Sequence, residues 1–216
     1  MNELTINNLL EQAAIFSELE SNYDEPSLYG VTDGKAVGTY IEHKFTNYLA
    51  ENYRYEHGNS ASGIDLPGLG VDIKVTSIKQ PQSSCPFRDA SQKIFGLGYH
   101  LLVFVYEKTD NDLTRTSRLN IKHTIFTDQS RTGDYQTTKG IRDILDREGN
   151  IDDIIAFIYE RNLPVDEIGA YSLAERIMLN HPILGYLTIS NALQWRLQYK
   201  RVIDYAGSIE GIYKVR

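Results

Sequence analysis

One stretch of the chain, Gly63 to Thr76, reads GIDLPGLGVDIKVT and decides the fold. From residue 71 onward, apolar and polar side chains alternate, which is the pattern of a strand with one buried face. Asp72 and Lys74 therefore point to the same side of the predicted strand. The proline and glycines that precede it are turn formers, so we expect Asp65 to fold back beside Asp72.

The size and composition of the chain indicate an ordinary folded protein. Its 216 residues are 41% hydrophobic, enough for the core of one domain or of one domain with a small appendage. No apolar run approaches the ~20 residues that cross a bilayer, and the N-terminus lacks the features of a signal peptide. The single cysteine, Cys85, cannot form an internal disulfide and has no partner for a zinc site. We therefore expect a cytoplasmic protein without a membrane segment.

Charge is unevenly distributed along the chain. The formal net charge of -7 argues against a protein that coats nucleic acid indiscriminately. Residues 143–167 carry eight acids against two arginines, whereas residues 74–93, 113–123 and 181–216 are each net +3. An acidic back and a basic front would suit a protein that meets DNA on one side. Solvated faces without a partner remain the alternative for each cluster.

Periodicity predicts helices and strands around the central stretch. Amphipathic spacing predicts helices over residues 4–19 and 35–52. A polar loop is expected over residues 79–86 and a short helix over residues 89–95. The continuous apolar run from His100 to Tyr106 predicts a strand buried on both faces, so that strand, helix and strand form a parallel pair. A further strand is expected over residues 119–126.

The C-terminal part of the chain is predicted to be mainly helical. Helices are expected over residues 137–147, 151–161, 172–179 and 190–205, followed by a strand over residues 209–215. The long last helix before a strand suggests a helix-turn-helix with a wing, and a helical cap packed on the sheet is the alternative. Residues 1–136 would then hold the N-terminal helix and the core. Residues 137–216 would form either a helix-turn-helix-like region or an integral part of one domain.

The central stretch has the chemistry of a magnesium site. Mg²⁺ takes oxygen ligands and keeps several waters, so Asp65, Asp72 and the main-chain carbonyl of Ile73 could hold it. A cation there would activate a water and neutralise the charge on a phosphate. Lys74 could orient that water, and Glu42, at the border of the apolar stripe of the second helix, could bind the ion or one of its waters. A surface hairpin with an accidental ion pair and a plain surface glutamate are the alternatives.

The order of these features resembles the core of the PD-(D/E)xK nucleases, most closely the type II restriction endonucleases. The resemblance covers residues 35–107 and departs from the motif where Ile64 stands in place of a proline. It implies an α/β (mixed α+β) fold, in which a central mixed sheet is flanked by helices. It also implies Asp65 and Asp72 as the motif acids, Lys74 as the motif lysine, and Mg²⁺-dependent cleavage of double-stranded DNA at a short specific sequence.

The resemblance also carries expectations about partners. We expect a homodimer, because a two-fold enzyme matches a palindromic DNA site. A cognate DNA methyltransferase is expected as a genetic partner and not in a complex. Two alternatives remain open, namely a structure-specific repair or recombination nuclease of the same fold and a non-catalytic DNA-binding module.

Polar and basic side chains outside the central stretch are candidates for DNA contacts, because they can bond phosphate oxygens and base edges. Gln92 also falls where some members of the resembling family place a glutamine near the site. The candidates are Lys79, Gln82, Ser83, Ser84, Arg88, Gln92, Lys93, Arg115, Arg118, Lys122, His123, Gln194, Arg196, Lys200 and Arg201.

Overall fold

The computed structural model describes residues 2–58, 63–85, 89–190 and 195–216. The helices in these ranges are α1 (Ile6–Ser21), α2 (Gly34–Ala50), α3 (Ser91–Phe95), α4 (Tyr135–Leu145), α5 (Ile151–Glu160), α6 (Glu167–Leu179) and α7 (Lys200–Tyr205). The strands are β1 (Asn2–Glu3), β2 (Asp24–Glu25), β3 (Tyr53–Arg54), β4 (Val71–Ser77), β5 (Gln82–Ser84), β6 (His100–Asn111), β7 (Thr116–Thr127), β8 (Thr188–Ile189), β9 (Arg196–Gln198) and β10 (Ile212–Lys214). None of the described helices is long and apolar enough to cross a membrane.

A mixed sheet forms the centre of the fold. Its strands follow the order β10-β7-β6-β4, and β2 also pairs with β7. Strands β4 and β6 run parallel, with Asp72 opposite Leu101 and Lys74 opposite Val103, whereas β6 and β7 form a long antiparallel hairpin. The predicted parallel pair is therefore confirmed. Because β4 is the last strand of the path, its outer edge is open to other groups.

Both faces of this sheet are covered. One face packs against α1 and α2, where the rings of Phe16 and Phe45 lie 5.0 Å apart and Phe45 lies 5.1 Å from Phe104. The other face packs against α7 and a second, three-stranded sheet of order β5-β9-β8. Strand β6 is consequently buried from both sides, as its apolar run predicts. Helices α3 to α6 enclose a third apolar cluster around Ile141, Ile154 and Ile158.

The predicted fold class is confirmed, and most element boundaries agree within a few residues. Helix α2 begins where Asp33 caps it, its carboxylate accepting the backbone N–H of Lys35 at 3.0 Å. Strands β4 and β6 occupy the predicted stretches, and helices α4, α5 and α6 make the C-terminal part mainly helical. The fold therefore follows from periodicity wherever an element makes mostly local contacts.

The predicted helix from residue 190 to residue 205 is wrong. Residues Arg196–Gln198 form β9, which pairs antiparallel with β5, and helix is confined to the six residues of α7. Leu197 and Tyr199 are both fully buried while Gln198 between them is exposed, which is the period of a strand. The long helix that a helix-turn-helix would need is therefore absent from residues 195–216. Residues 191–194 lie outside the described residues.

The predicted polar loop over residues 79–86 also needs correction, because Gln82–Ser84 form β5. Thr76 fixes this strand to β4: its Oγ1 accepts the backbone N–H of Gln82 at 2.9 Å and lies 3.1 Å from the carbonyl oxygen of the same residue. The pairing partner of β5 is more than a hundred residues away in sequence, in β9. A polar three-residue segment gives no local signal of such a partner.

Candidate active site at the open edge of β4

A tight turn brings Asp65 against the edge of β4. Leu66 and Val71 exchange backbone hydrogen bonds of 2.9 and 3.2 Å, and Gly70 closes the turn at φ +62°, in the left-handed region that favours glycine. The Asp65 side chain continues this pairing, because its Oδ2 accepts the backbone N–H of Ile73 at 2.7 Å. The structure thus brings the first acid to the strand that carries the second.

Asp72 and Lys74 lie on the same face of β4 and form an ion pair, with 2.8 Å between Lys74 Nζ and Asp72 Oδ2. The Asp72 side chain is only 4% exposed and that of Lys74 is 19% exposed. Asp72 Oδ2 is buried, and Lys74 is its charged partner. A buried carboxylate beside a second acid favours further positive charge, since burying a charge without full compensation is costly.

The electrostatics of the cluster are dominated by burial. Burial raises the pKa of Asp72 to about 7, with Lys74 opposing the rise and Asp65 adding to it. Burial also raises the pKa of Glu42 to about 7; Asp65 adds to this rise and Lys74 opposes it. Burial alone would lower the pKa of Lys74, but its three acidic neighbours raise it. Three acids therefore share one lysine, an excess of negative charge that a bound cation would balance.

The oxygen atoms of the cluster fit a magnesium ion. Within the part of the chain that the structure describes, no three His, Cys, Asp or Glu side chains gather closely enough to hold a metal ion. Two carboxylates, those of Asp65 and Asp72, are available together with a main-chain carbonyl. The N–H and C=O of one strand residue point to the same side, so the Ile73 carbonyl faces the open edge where its N–H meets Asp65. Three protein oxygens suit Mg²⁺, which keeps several waters.

A cleft of about 590 Å³ opens beside Glu42 and Lys74, and Asp65 and Asp72 are not among the residues that line it. Glu42 on α2 and Lys74 on β4 form part of its wall. Four of the predicted DNA-contact residues complete the wall, namely Gln82, Ser83, Ser84 and Arg196. The structure therefore places in one cleft two sets of residues that the sequence predicted independently, the candidate active-site residues and the candidate DNA-contact residues. Lys79 is exposed and lines an adjacent cavity that shares residues with this cleft.

Other predicted DNA-contact residues lie elsewhere and are engaged in internal contacts. Arg118 binds Asp24 through two hydrogen bonds of 2.9 and 3.0 Å, and Arg115 lies over the ring of Tyr29. Two more pairs join Lys122 to Glu107 and Lys200 to Asp204. In the same way Arg201 lies over the ring of Tyr135, and His123 is half-buried opposite Val105. None of these side chains lines the cleft.

Two predicted contacts on α3 are buried. Gln92 donates from Nε2 to the carbonyl of Leu97 at 3.2 Å, and Lys93 places Nζ 4.9 Å from the ring of Trp195. Burial lowers the pKa of Lys93. Neither side chain reaches the surface in this conformation, so direct contact with DNA is not open to them. Arg88 and Gln194, also predicted to contact DNA, lie outside the described residues.

Lys35 and Thr39 are among the cleft-lining residues that sequence reasoning missed. Both lie on the first turns of α2, on the same face as Glu42. Their spacing of four and three residues carried the signal, because side chains three and four apart share one face of a helix. Lys35 adds a positive charge to a cleft whose lining also includes Glu42, Lys74 and Arg196.

The parallel pair and the acids at its edge agree with the PD-(D/E)xK nuclease class that the motif resembles. Comparison with known proteins narrows this class. Residues 3–214 match the family described as type II restriction enzyme NspV. The chain is also 65% identical over 215 residues to the type II restriction enzyme NspV of Nostoc sp. (strain ATCC 29411 / PCC 7524), covering 100% of this chain and 98% of that relative. No solved structure matches the chain.

The chain therefore belongs to the NspV family of type II restriction enzymes, a class of site-specific deoxyribonucleases.

Proposed function

We propose that this chain cuts both strands of DNA at a short specific sequence in a Mg²⁺-dependent reaction, with Asp65, Asp72 and the Ile73 carbonyl holding the ion. The observation that carries the proposal is the arrangement at the edge of β4, where Asp65 Oδ2 accepts the N–H of Ile73 at 2.7 Å and the buried Oδ2 of Asp72 lies 2.8 Å from Lys74 Nζ. Family membership supports the reaction class over the two alternatives, a repair nuclease and a non-catalytic binding module.

Each side chain of the cluster has a defined role in this proposal. The ion, when bound, lowers the pKa of a water and neutralises charge that develops on the phosphate. Lys74 orients the attacking water and contacts the scissile phosphate. Asp65 holds the edge of β4 with one oxygen and offers the other to the ion. Glu42 reaches the same cleft from α2 and bonds a water, because the acids do not gather as three direct ligands.

The cleft holds the DNA backbone next to this cluster. Lys35 lies in the wall of the cleft on α2 and supplies positive charge for a phosphate next to the scissile bond. Thr39, one turn further along α2, adds a neutral hydrogen-bonding group. The three acids around Lys74 suit a substrate whose phosphate reaches them through a bound cation.

The enzyme acts as a homodimer in the cytoplasm, and a cognate DNA methyltransferase protects the host DNA. Cutting both strands of a palindromic site requires two copies of the cluster related by a two-fold axis. Sedimentation of the protein alone and with a duplex that contains its site tests this part. A sedimentation coefficient of a single chain on the duplex would contradict the dimer.

Plasmid cleavage tests the proposed reaction. With Mg²⁺ the protein should give discrete double-strand fragments with constant ends, whereas protein dialysed against EDTA should give none until Mg²⁺ is restored. Undiminished cleavage in EDTA would contradict the metal requirement. Cleavage only at nicks or junctions would indicate a repair nuclease, and sequence-dependent binding without any cleavage in Mg²⁺ would indicate a binding module.

A further inference from the structure

The second sheet, β5-β9-β8, has one buried and one outer face. Leu197 and Ile189 point inward to the core, and Ser83 Oγ lies 2.5 Å from the buried hydroxyl of Tyr199. Side chains directly opposite each other in an antiparallel pair share a face, and the face changes with every residue. The outer face is therefore formed by Gln82, Ser84, Thr188, Arg196 and Gln198.

These five side chains, which we call the outer face, are all polar or basic, and none is acidic. Within the described part of the chain their side-chain groups make no hydrogen bond or ion pair with the rest of the protein. Arg118 and Lys122, by contrast, are each bound to an acid. Arg196 thus presents a guanidinium with its donors unused, and two amides stand beside it. Unused donors and acceptors on an ordered strand are what a polar partner requires.

The outer face is fixed rigidly to the candidate active site. Thr76, two residues after Lys74 on β4, bonds the backbone of Gln82 at 2.9 Å. Tyr199 donates its backbone N–H to the carbonyl of Pro81 at 2.8 Å, which ties the end of β9 to the start of β5. Gln82, Ser84 and Arg196 line the same cleft as Lys74. A molecule bound with its phosphate at Lys74 therefore meets this face directly.

We propose that the outer face of β5 and β9 reads base edges in the major groove, an inference that rests on the proposed position of the scissile phosphate. The major groove, about 12 Å wide, admits a two-stranded ribbon. Glutamine matches the N6 and N7 atoms of adenine and arginine matches the O6 and N7 atoms of guanine, each with two hydrogen bonds. Gln82 and Gln198 recognise an adenine, and Arg196, supported by Ser84, recognises a guanine.

The strand register also fixes the spacing of the two contacts. Gln82 lies opposite Gln198, and Ser84 lies opposite Arg196 two residues further along. Two residues of a strand span about 7 Å, which is close to two base-pair steps of ~3.4 Å each. With the ribbon lying along the groove, the glutamine pair and the arginine contact bases about two positions apart. Substitutions in the Gln82–Gln198 pair and in the Ser84–Arg196 pair should therefore weaken the base preference at two different positions of the recognised sequence.

Cleavage of a random-sequence duplex library in Mg²⁺, followed by sequencing of the ends, tests this assignment. Gln198→Ala should lose preference at one position and Arg196→Ala at another, with cleavage of the original sequence reduced about 5- to 150-fold, the discrimination of one bidentate contact. Gln136→Ala and Arg147→Ala, which change exposed residues of the α4 region, are the matched controls and should leave the sequence profile and rate unchanged. An unchanged profile in both outer-face variants would overturn the inference.

Arg196→Lys separates base reading from phosphate binding. Lysine keeps the charge but lacks the planar fork, so a phosphate contact would survive the change and a bidentate contact to guanine would not. We expect Arg196→Lys to lose preference at the same position as Arg196→Ala. If Arg196→Lys keeps the wild-type profile, or if Arg196→Ala weakens binding to all sequences equally, Arg196 holds phosphate and the inference is wrong.

Modified DNA tests the groove itself. Replacing each purine of the recognised sequence in turn with its 7-deaza analogue removes only the N7 acceptor of the major groove. Replacement of one particular adenine should slow cleavage by the wild-type enzyme. The same replacement should not slow cleavage by the Gln198→Ala variant any further. Equal cleavage of all 7-deaza duplexes by the wild-type enzyme would contradict major-groove reading. Failure of the proposed function would give a different result. In that case Lys74→Ala would still cleave DNA, whereas the outer-face variants could still change the sequence preference of cleavage.

Discussion

Asp65 Oδ2 accepts the backbone N–H of Ile73 at 2.7 Å, so the carboxylate that begins the motif also completes the edge of the strand that carries the rest of it. One oxygen of Asp65 is thereby committed to the fold. Burial raises the pKa of Asp72, and the nearby Asp65 carboxyl group adds to that rise. The hydrogen bond from the Ile73 N–H to Asp65 does not depend on a metal ion. It offsets part of the electrostatic repulsion between the carboxylates of Asp65 and Asp72.

Substitution of Asp65 should separate these two tasks. Asp65→Asn keeps an oxygen for the Ile73 N–H and removes the charge, so the unfolding free energy should change by less than about 0.5 kcal/mol while cleavage falls at least about 100-fold. Asp65→Ala should lose the same activity and also about 1–3 kcal/mol of stability. Urea denaturation and single-turnover cleavage measure the two effects. Equal stability losses in both variants would show that the backbone bond does not hold the edge.

The ion pair between Lys44 and Glu20 should stabilise the packing of α1 on α2. The Glu20 side chain is 2% exposed and lies 2.8 Å from Lys44 Nζ, which also sits 3.8 Å from the centre of the Tyr23 ring. Lys44→Ala leaves a buried carboxylate unpaired and should cost about 2–3 kcal/mol, less than a fully buried pair because Lys44 is partly exposed. Lys139→Ala, which breaks an exposed pair with Asp143, is the control and should leave the urea midpoint unchanged. Equal effects of the two changes would refute the argument.

Asp134 should be the most costly helix cap to remove. It is 3% exposed; one carboxylate oxygen accepts the N–H and hydroxyl of Thr137, both at 2.8 Å, and the other accepts the N–H of Ile189 at 2.8 Å. Asp134→Ala leaves several buried donors without an acceptor and should cost about 3 kcal/mol. Asp166→Ala removes an exposed cap with one bond to Gly169 and should cost about 1 kcal/mol. Thermal unfolding followed by circular dichroism measures the two stability losses. A larger loss in Asp166→Ala than in Asp134→Ala would contradict the prediction.

Thr76 should position β5 against β4. Its hydroxyl accepts the backbone N–H of Gln82. Thr76→Val should therefore leave this N–H without an acceptor and lower the free energy of unfolding by about 1–2 kcal/mol. Because β5 would shift relative to Lys74, cleavage should fall about 10- to 100-fold. Thr76→Ser keeps the hydroxyl and should restore both properties. If serine and valine behave alike in single-turnover cleavage, the hydroxyl has no positioning role.

Local patterns sufficed to predict the part of the fold that carries the candidate active site. The alternation of Val71, Ile73 and Val75 identified β4, and the apolar run of β6 identified its buried neighbour. The proximity of Asp65 to Asp72 followed from a turn rich in glycine, whose key residue, Gly70, does adopt a positive φ. These features are set by residues within about ten positions of one another, so the sequence around them contains the necessary information.

The second sheet was missed because its strands pair over long distances in the chain. Trp195, Tyr199 and Val202 match the spacing of a helix, whereas Leu197 matches a strand, and only the pairing with β5 decides between them. Lys93 was expected at the surface because it is charged, yet it is buried beside Trp195. Tertiary contacts overrode local preference in both places, and the cleft is formed by the same contacts.

Cleavage by Asp72→Asn tests the central claim most directly. The wild-type digest first gives the recognised sequence, and a duplex containing it is then used to measure single-turnover cleavage in Mg²⁺ and binding without Mg²⁺. If the reaction takes place at the edge of β4, the Asp72→Asn variant should cleave this duplex at least about 1,000-fold more slowly than the wild-type enzyme. It should bind the same duplex with a nearly unchanged Kd. Cleavage by Asp72→Asn at the wild-type rate would show that the reaction takes place elsewhere.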